Sequence, residues 1–222
     1  MQKFATTAPV TAILDIPAGR VQVTATDEIG ATVEIKPVDA SKGRDVKAAE
    51  QTRVHFANGV LRIETPMKNQ YFGNSGAVDI SVQLPSESRL MAKAGAAGFR
   101  TAGSLGDVVF DGAHGAVQVD EAASLRLSVH TGDVRVGRLG GDSEISVAAG
   151  DIHVEEAARG ALTLNTGYGA ITVGAAHGAS ATLAADTHCG RVHHALRNTD
   201  GPAAALTIQA TTAYGDITAR SL

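Results

Sequence analysis

The chain has 222 residues, with 19 Lys and Arg against 23 Asp and Glu, a length that fits one domain and a formal charge of −4 that argues against a nucleic-acid binder. Apolar residues make up 44%, too many for a disordered chain, but aromatics are only 4% and Trp is absent, so small and β-branched side chains must fill the core. No apolar run approaches the roughly 18 residues of a membrane helix, and no membrane insertion is expected.

The opening residues, MQKFATTAPVTAILDIPAGR, hold no continuous hydrophobic stretch and reach Asp15 early, unlike a secretory signal. A single cysteine, Cys189, excludes an internal disulfide and suits a reducing compartment. Together these features predict a cytoplasmic protein.

Gly19 has Leu14 and Ile16 before it and Val21 and Val23 after it, an alternation of period two that reads as two strands meeting at a corner. The segment from Asp39 to Arg53, DASKGRDVKAAEQTR, is charged and lacks apolar periodicity, so it reads as a loop with one or two helical turns. Gly59 repeats the corner pattern, with Val54 and Phe56 upstream and Leu61 and Ile63 downstream, although Asn58-Gly59 is also a hairpin dipeptide, as is Asp111-Gly112. A polar loop, Pro66 to Gly76, carries Met67, Tyr71 and Phe72, and Val78, Ile80, Val82 and Leu84 follow it. Residues 1–94 carry 11 basic and 10 acidic side chains; residues 95–222 carry 8 and 13, and hold seven of the eight histidines. No linker separates these parts, so a single domain over residues 1–222 is expected.

The second half repeats. Gly106-Asp107-Val108, Gly132-Asp133-Val134, Gly150-Asp151-Ile152, Gly169-Ala170-Ile171, Gly190-Arg191-Val192 and Gly215-Asp216-Ile217 lie 26, 18, 19, 21 and 25 residues apart. The third and fifth residues before each turn are mostly apolar or small, as in Leu127 and Val129 or Ile145 and Val147. The second and fourth residues after the turn glycine do likewise, as in Ile152 with Val154 and Ile171 with Val173. One such strand pair cannot hide its apolar face alone, but stacked copies bury those faces in a continuous core. Equivalent strands then pair in parallel at about 4.8 Å. The expected fold is therefore all-β, a parallel β-solenoid with coils of about 18–26 residues and a less regular N-terminal β region over 1–94.

The run SVHTGDVRVGRLGGDSEISVAAGDIHVEEAARGALTLNTGYGAITVG resembles the bacterial β-strand-repeat "putative adhesin" family, domain of unknown function 4097. ATTAYGDITAR, LDIPAGRVQVTATD and VQLPSES resemble its actinobacterial members. The resemblance spans nearly the whole chain and implies a β-solenoid-like fold with no established catalytic or ligand residues. The sequence departs from the family pattern at Ala170 and Arg191, where the corner Asp is missing.

Stacking turns equivalent positions into neighbours. Asp107, Asp133 and Asp151 would form one column with Asp216 further along, either capping the corners or, as in carbohydrate-cleaving β-helices, supplying paired carboxylates. The segment Thr187-His188-Cys189-Gly190-Arg191-Val192-His193-His194 contains zinc-type ligands, but alternation sends the adjacent His193 and His194 to opposite faces. His153 and His193 would share an outward column with Thr172 between them, roughly 9.6 Å apart and too far for one ion. Cys189 takes the position of Tyr168 and Tyr214, which predicts a packing role. No phosphate loop, zinc-protease motif or nucleophile elbow occurs.

No catalytic, cofactor-binding or metal residue is therefore assigned, and no cofactor is expected. The expected function is a non-catalytic scaffold or interaction module with a protein or glycan partner. The alternative is a glycan- or envelope-binding or cleaving protein using the Asp column, or a groove near Tyr168, Tyr214 and the 66–76 loop. The last strand in sequence, ending at Leu222, carries no capping helix, so self-association through an uncovered terminal coil is expected, with Arg220 or a loop as the competing guard.

Overall fold

The computed structural model describes residues 1–66 and 76–222, so Met67, Tyr71 and Phe72 lie outside the described residues. The chain divides into two compact units, Met1–Gly115 and Ala116–Leu222.

The first unit comprises β1 (Gln2–Phe4), β2 (Thr11–Thr26), β3 (Ala31–Pro37), α1 (Gly43–Gln51), β4 (Arg53–Ala57), β5 (Val60–Glu64), β6 (Val78–Pro85), β7 (Arg89–Ala102) and β8 (Ser104–His114). β2 is a whole coil bent at Gly19, whose φ of +133° only glycine adopts freely. Its first half pairs in parallel with β5, its second half with β6, and β7 follows it along both. β8 continues the stack in parallel on β7. Leu14, Ile16, Val21 and Val23 are buried, as the alternation requires.

Two local candidates are resolved here. β4 and β5 form an antiparallel hairpin at Asn58-Gly59, so Gly59 is a hairpin turn and not a solenoid corner; both turn residues have positive φ, 51° and 74°. β3 is likewise antiparallel to β1 and β6, which is the irregularity of this region. Asp111-Gly112, the other hairpin candidate, runs straight through β8, with the Phe110 ring against its glycine.

The Asp39–Arg53 segment contains a nine-residue helix, longer than one or two turns. It has no apolar stripe to announce it. A polar anchor holds it instead: buried Asp45 accepts the Ala77 N–H at 3.0 Å, and the Thr52 hydroxyl contacts that of Thr65 at 2.9 Å.

The second unit comprises β9 (Val117–Thr131), β10 (Val134–Leu139), β11 (Ser143–Ala149), β12 (Ile152–Ala157), β13 (Gly160–Tyr168), β14 (Ile171–Ala175), β15 (Ala181–Cys189), β16 (Val192–Ala195), β17 (Leu206–Tyr214) and β18 (Ile217–Ser221). All pairings among these strands are parallel and form two stacks. One stack runs from the second half of β9 through β11, β13 and β17 to β15; the other runs from the first half of β9 through β10, β12, β14 and β18 to β16. Inward Leu127, Ile145, Leu164 and Ala210 line up in the first stack, and Val134, Ile152, Ile171 and Ile217 in the second. All are buried, each large aliphatic one contributing roughly 1.5–3 kcal/mol by leaving water.

The order of coils corrects the sequence reading. The last coil in sequence, β17 and β18, lies between the coil of β13 and β14 and the coil of β15 and β16. Residues 181–195 therefore form the end of the stack, and Arg220 sits inside the sheet between Gly174 and Ala195, where it cannot guard an end. Repeating Thr bonds trace this order. Thr166 donates to the Gly150 carbonyl at 2.9 Å, Thr212 to Gly169 at 3.0 Å and Thr187 to Gly215 at 3.0 Å.

Candidate binding groove

The corner carboxylates have a structural task. Asp133 Oδ1 accepts the Asp151 N–H at 3.1 Å, Asp151 Oδ1 accepts the Ala170 N–H at 2.8 Å, and Asp216 Oδ1 accepts the Arg191 N–H at 2.8 Å. Each carboxylate thus fastens its corner to the next coil in space. The column runs Asp133, Asp151, Ala170, Asp216, Arg191. Asp107 is not part of it. Gly106 lies within β8 between the true turns at Gly103 and Gly115, and Asp107 pairs with Arg89 at 3.0 Å.

The histidine segment does not converge. In register, Thr172 and Thr218 both separate His153 from His193, so three coil steps of about 4.8 Å part them where the sequence implied two. His193 and His194 are both exposed, because no further coil covers β16. Among the described residues, no group of three His, Cys, Asp or Glu side chains could hold a metal ion. Cys189 does align with Tyr168 and Tyr214, but it is exposed and not packed. Tyr168 and Tyr214 stack on the outer surface with ring centroids 5.0 Å apart and parallel planes.

A concave feature lies elsewhere, on the outer face of the β9–β10–β12–β14–β18 stack. In its first three coils the inward residues step by two and then by three: Val117, Val119, Ala122; Val134, Val136, Leu139; Ile152, Val154, Ala157. In the next two they step by two throughout: Ile171, Val173, Ala175, then Ile217, Ala219, Ser221. The extra residue is a β-bulge, and the register between β12 and β14 shifts between Val154 and Ala157 to absorb it. Each bulge turns two successive residues outward: Asp120 with Glu121, Gly137 with Arg138, and Glu155 with Glu156.

Two columns result. Gly137 separates Asp120 from Glu155, and Gly174 separates Glu155 from Arg220, so missing side chains leave hollows in alternate coils. Neither glycine can be filled in place: a Cβ on Gly137 would stand 2.5 Å from the Asp120 carbonyl, and one on Gly174 would collide with that of Glu155. Beside them, Arg138 Nε reaches Glu156 at 3.5 Å. Leu222 folds back beside Gly174, its N–H bonded to the Ala175 carbonyl at 2.9 Å, and adds an apolar spot. The groove is about 590 Å³ in volume, with His153, Thr172 and Arg220 along its walls. That size suits a small molecule or a short stretch of polymer. The sequence reading missed Asp120, Glu121, Arg138, Glu155 and Glu156; the two-then-three step of apolar residues was the signal that could have found them.

A family model described as Toastrack DUF4097 matches residues 14–221. The chain belongs to that family. A Bacteroides fragilis protein described as a putative adhesin is 12% identical over 98% of this chain and 95% of its own, with a TM-score of 0.59. A Parabacteroides distasonis protein, also described as a putative adhesin, is 16% identical over 100% and 95%, with a TM-score of 0.46. At 12% identity the likeness to the Bacteroides fragilis protein is one of fold. Comparison with proteins of curated function finds no match. For this Toastrack chain the expectation of an all-β, solenoid-like fold holds, and no helix among the described residues is long and apolar enough to cross a membrane.

Proposed function

We propose that this Toastrack chain is a non-catalytic interaction module whose binding face is the bulge-lined groove, and that its ligand is a segment of glycan. The observation that carries the reading is the alternation of polar side chains with glycine hollows around a volume of about 590 Å³. Hydroxyl groups on a sugar can donate to Asp120, Glu121 and Glu155 and accept from Arg220, while a ring face rests on Leu222. A non-catalytic role is favoured because Asp120 and Glu155 both open to solvent, whereas the proton-donating carboxyl of a glycosidase sits in apolar surroundings. The corner carboxylates are engaged with backbone N–H groups, which argues against them as an acid–base pair. Exposed Cys189, the only cysteine, supports a reducing and hence cytoplasmic setting.

The test is a glycan array on the full chain, followed by titration of soluble fragments that score. Glu155→Gln and Arg220→Ala should each weaken binding about tenfold, the loss of one charge-assisted hydrogen bond. A blank array, or binding that both variants leave intact, would refute the groove assignment. Turnover of a bound glycan would refute the non-catalytic part.

A further inference from the structure

The end of the second unit's stack is an open sheet edge. In β15 the inward positions are Ala181, Leu183, Ala185 and Thr187, and the last three remain half-exposed. Their neighbours one coil in, Ile208, Ala210 and Thr212, are 0%, 0% and 2% exposed. Val192 in β16 is 40% exposed, while its neighbour Ile217 is 0%. Among the described residues, the hydrophobic column thus reaches the end of the stack without a lid. The usual protections of an edge are missing as well: Ala181–Cys189 contains no Lys, no Pro and one formally charged side chain, Asp186.

Backbone parity says which groups are on offer. Leu206 donates its N–H to the Ser180 carbonyl at 3.2 Å, which turns the even-numbered residues of β15 toward β17. The odd-numbered ones as far as Thr187 face away, and Ala181 fits this by donating its N–H to the Arg197 carbonyl, 3.0 Å distant in the following loop; the parity ends at Cys189, whose carbonyl accepts the Gly215 N–H at 3.0 Å. The N–H and C=O groups of Leu183, Ala185 and Thr187 point to the open side.

We propose that β15 docks a second copy of this chain, the two β15 strands pairing antiparallel about Ala185 across a twofold axis. Ala185 is the midpoint of Ala181–Cys189 and has the outward parity, so the two Ala185 residues exchange both N–H···O bonds. Leu183 then faces Thr187 of the second copy and adds its own pair of bonds. Centring on Leu183 or Thr187 shortens the paired span. The register is also electrostatically self-consistent, because Asp186 falls opposite Ala184 and Thr182 opposite His188, so no like charges meet. Odd-numbered side chains of both copies lie on the core face, where Leu183 covers the end of its partner's column. A twofold contact of this kind closes on itself and does not grow into a filament.

Sedimentation of the full chain over a wide concentration range tests this. The mass should rise from 22.6 kDa toward twice that value. Ala184 is exposed and remote from the core, so its variants should leave the fold intact. Ala184→Asp sets a carboxylate against Asp186 of the second copy at both symmetry-related contacts and should weaken the dimer at least tenfold. Ala184→Lys should tighten it. Ala185→Pro removes an edge N–H without touching the β15–β17 ladder and should give a monomer with an unchanged thermal midpoint. A strict monomer at high concentration overturns the proposal. So does a dimer that neither Ala184 variant moves, or an edge that accepts only the strand of a different protein.

Discussion

Asp151 offers the sharpest test of how the corners hold together. Its carboxylate accepts the Ala170 N–H at 2.8 Å, a bond from an ionised group to the next coil. Such bonds contribute about 1.5–3 kcal/mol. Against this stands Asp133, one coil away; two unit charges about 4.8 Å apart in water repel by about 0.9 kcal/mol. Asp151→Ala removes both effects and should destabilise the protein by about 0.5–2 kcal/mol, a fall in Tm of roughly 1–8 °C for a chain of this size. Asp151→Asn keeps an acceptor oxygen, weakens the bond and relieves the repulsion, so it should lie within about 0.5 kcal/mol of the parent. Denaturant titration gives the free energies, and hydrogen exchange localises them: the Ala170 amide should lose protection in the Ala variant. If Asp151→Ala is as stable as the parent, or the Ala170 amide exchanges unchanged, the corner carboxylates are not fasteners.

Two further outcomes follow from local geometry. Gly150 has φ of +150° and a Cβ there would strike the Gly132 backbone, so Gly150→Ala should cost several kcal/mol or abolish folding, whereas Gly178, with φ of +76° and nothing within 4 Å of a Cβ, should tolerate Ala at about 1 kcal/mol, both read by thermal unfolding. Asp39 titrates near 2, held there by the Ser41 hydroxyl, the Ser41 N–H and Lys42. Because its folded value lies below the unfolded one, the stabilisation is complete above pH about 4 and fades as pH falls toward 2. Carboxyl-detected NMR should place the midpoint near 2, and Ser41→Ala should raise it.

The inward faces were legible because burial imposes a strict alternation, and Leu127, Val129, Ile145 and Val147 obey it. The order of coils was not, since Leu183 and Ile208 present the same pattern and either could follow Leu162. Only the hydrogen bonds of the folded chain choose between them. The hairpin at Asn58-Gly59 carried its own local signal, but it competed with a corner template built on the same glycine. The α1 helix was read short, as one or two turns, because its anchor is a buried Asp45 and not an apolar stripe. The groove escaped for a related reason: a bulge breaks the period of two, and a reading tuned to that period does not bring Asp120-Glu121 and Glu155-Glu156 onto one face.

The intercalated final coil bears on the chain's birth as well as its architecture. A ribosome delivers residues 181–195 before 206–221, yet the earlier segment belongs outside the later one. Assembly from the N-terminus cannot simply add rungs. The nascent 181–195 segment must wait, or sit provisionally on β13 and β14 and yield its seat when residues 206–221 emerge. A ladder whose outermost rung is made before the one beneath it folds in two acts, and its second act begins only once residues 206–221 have left the ribosome.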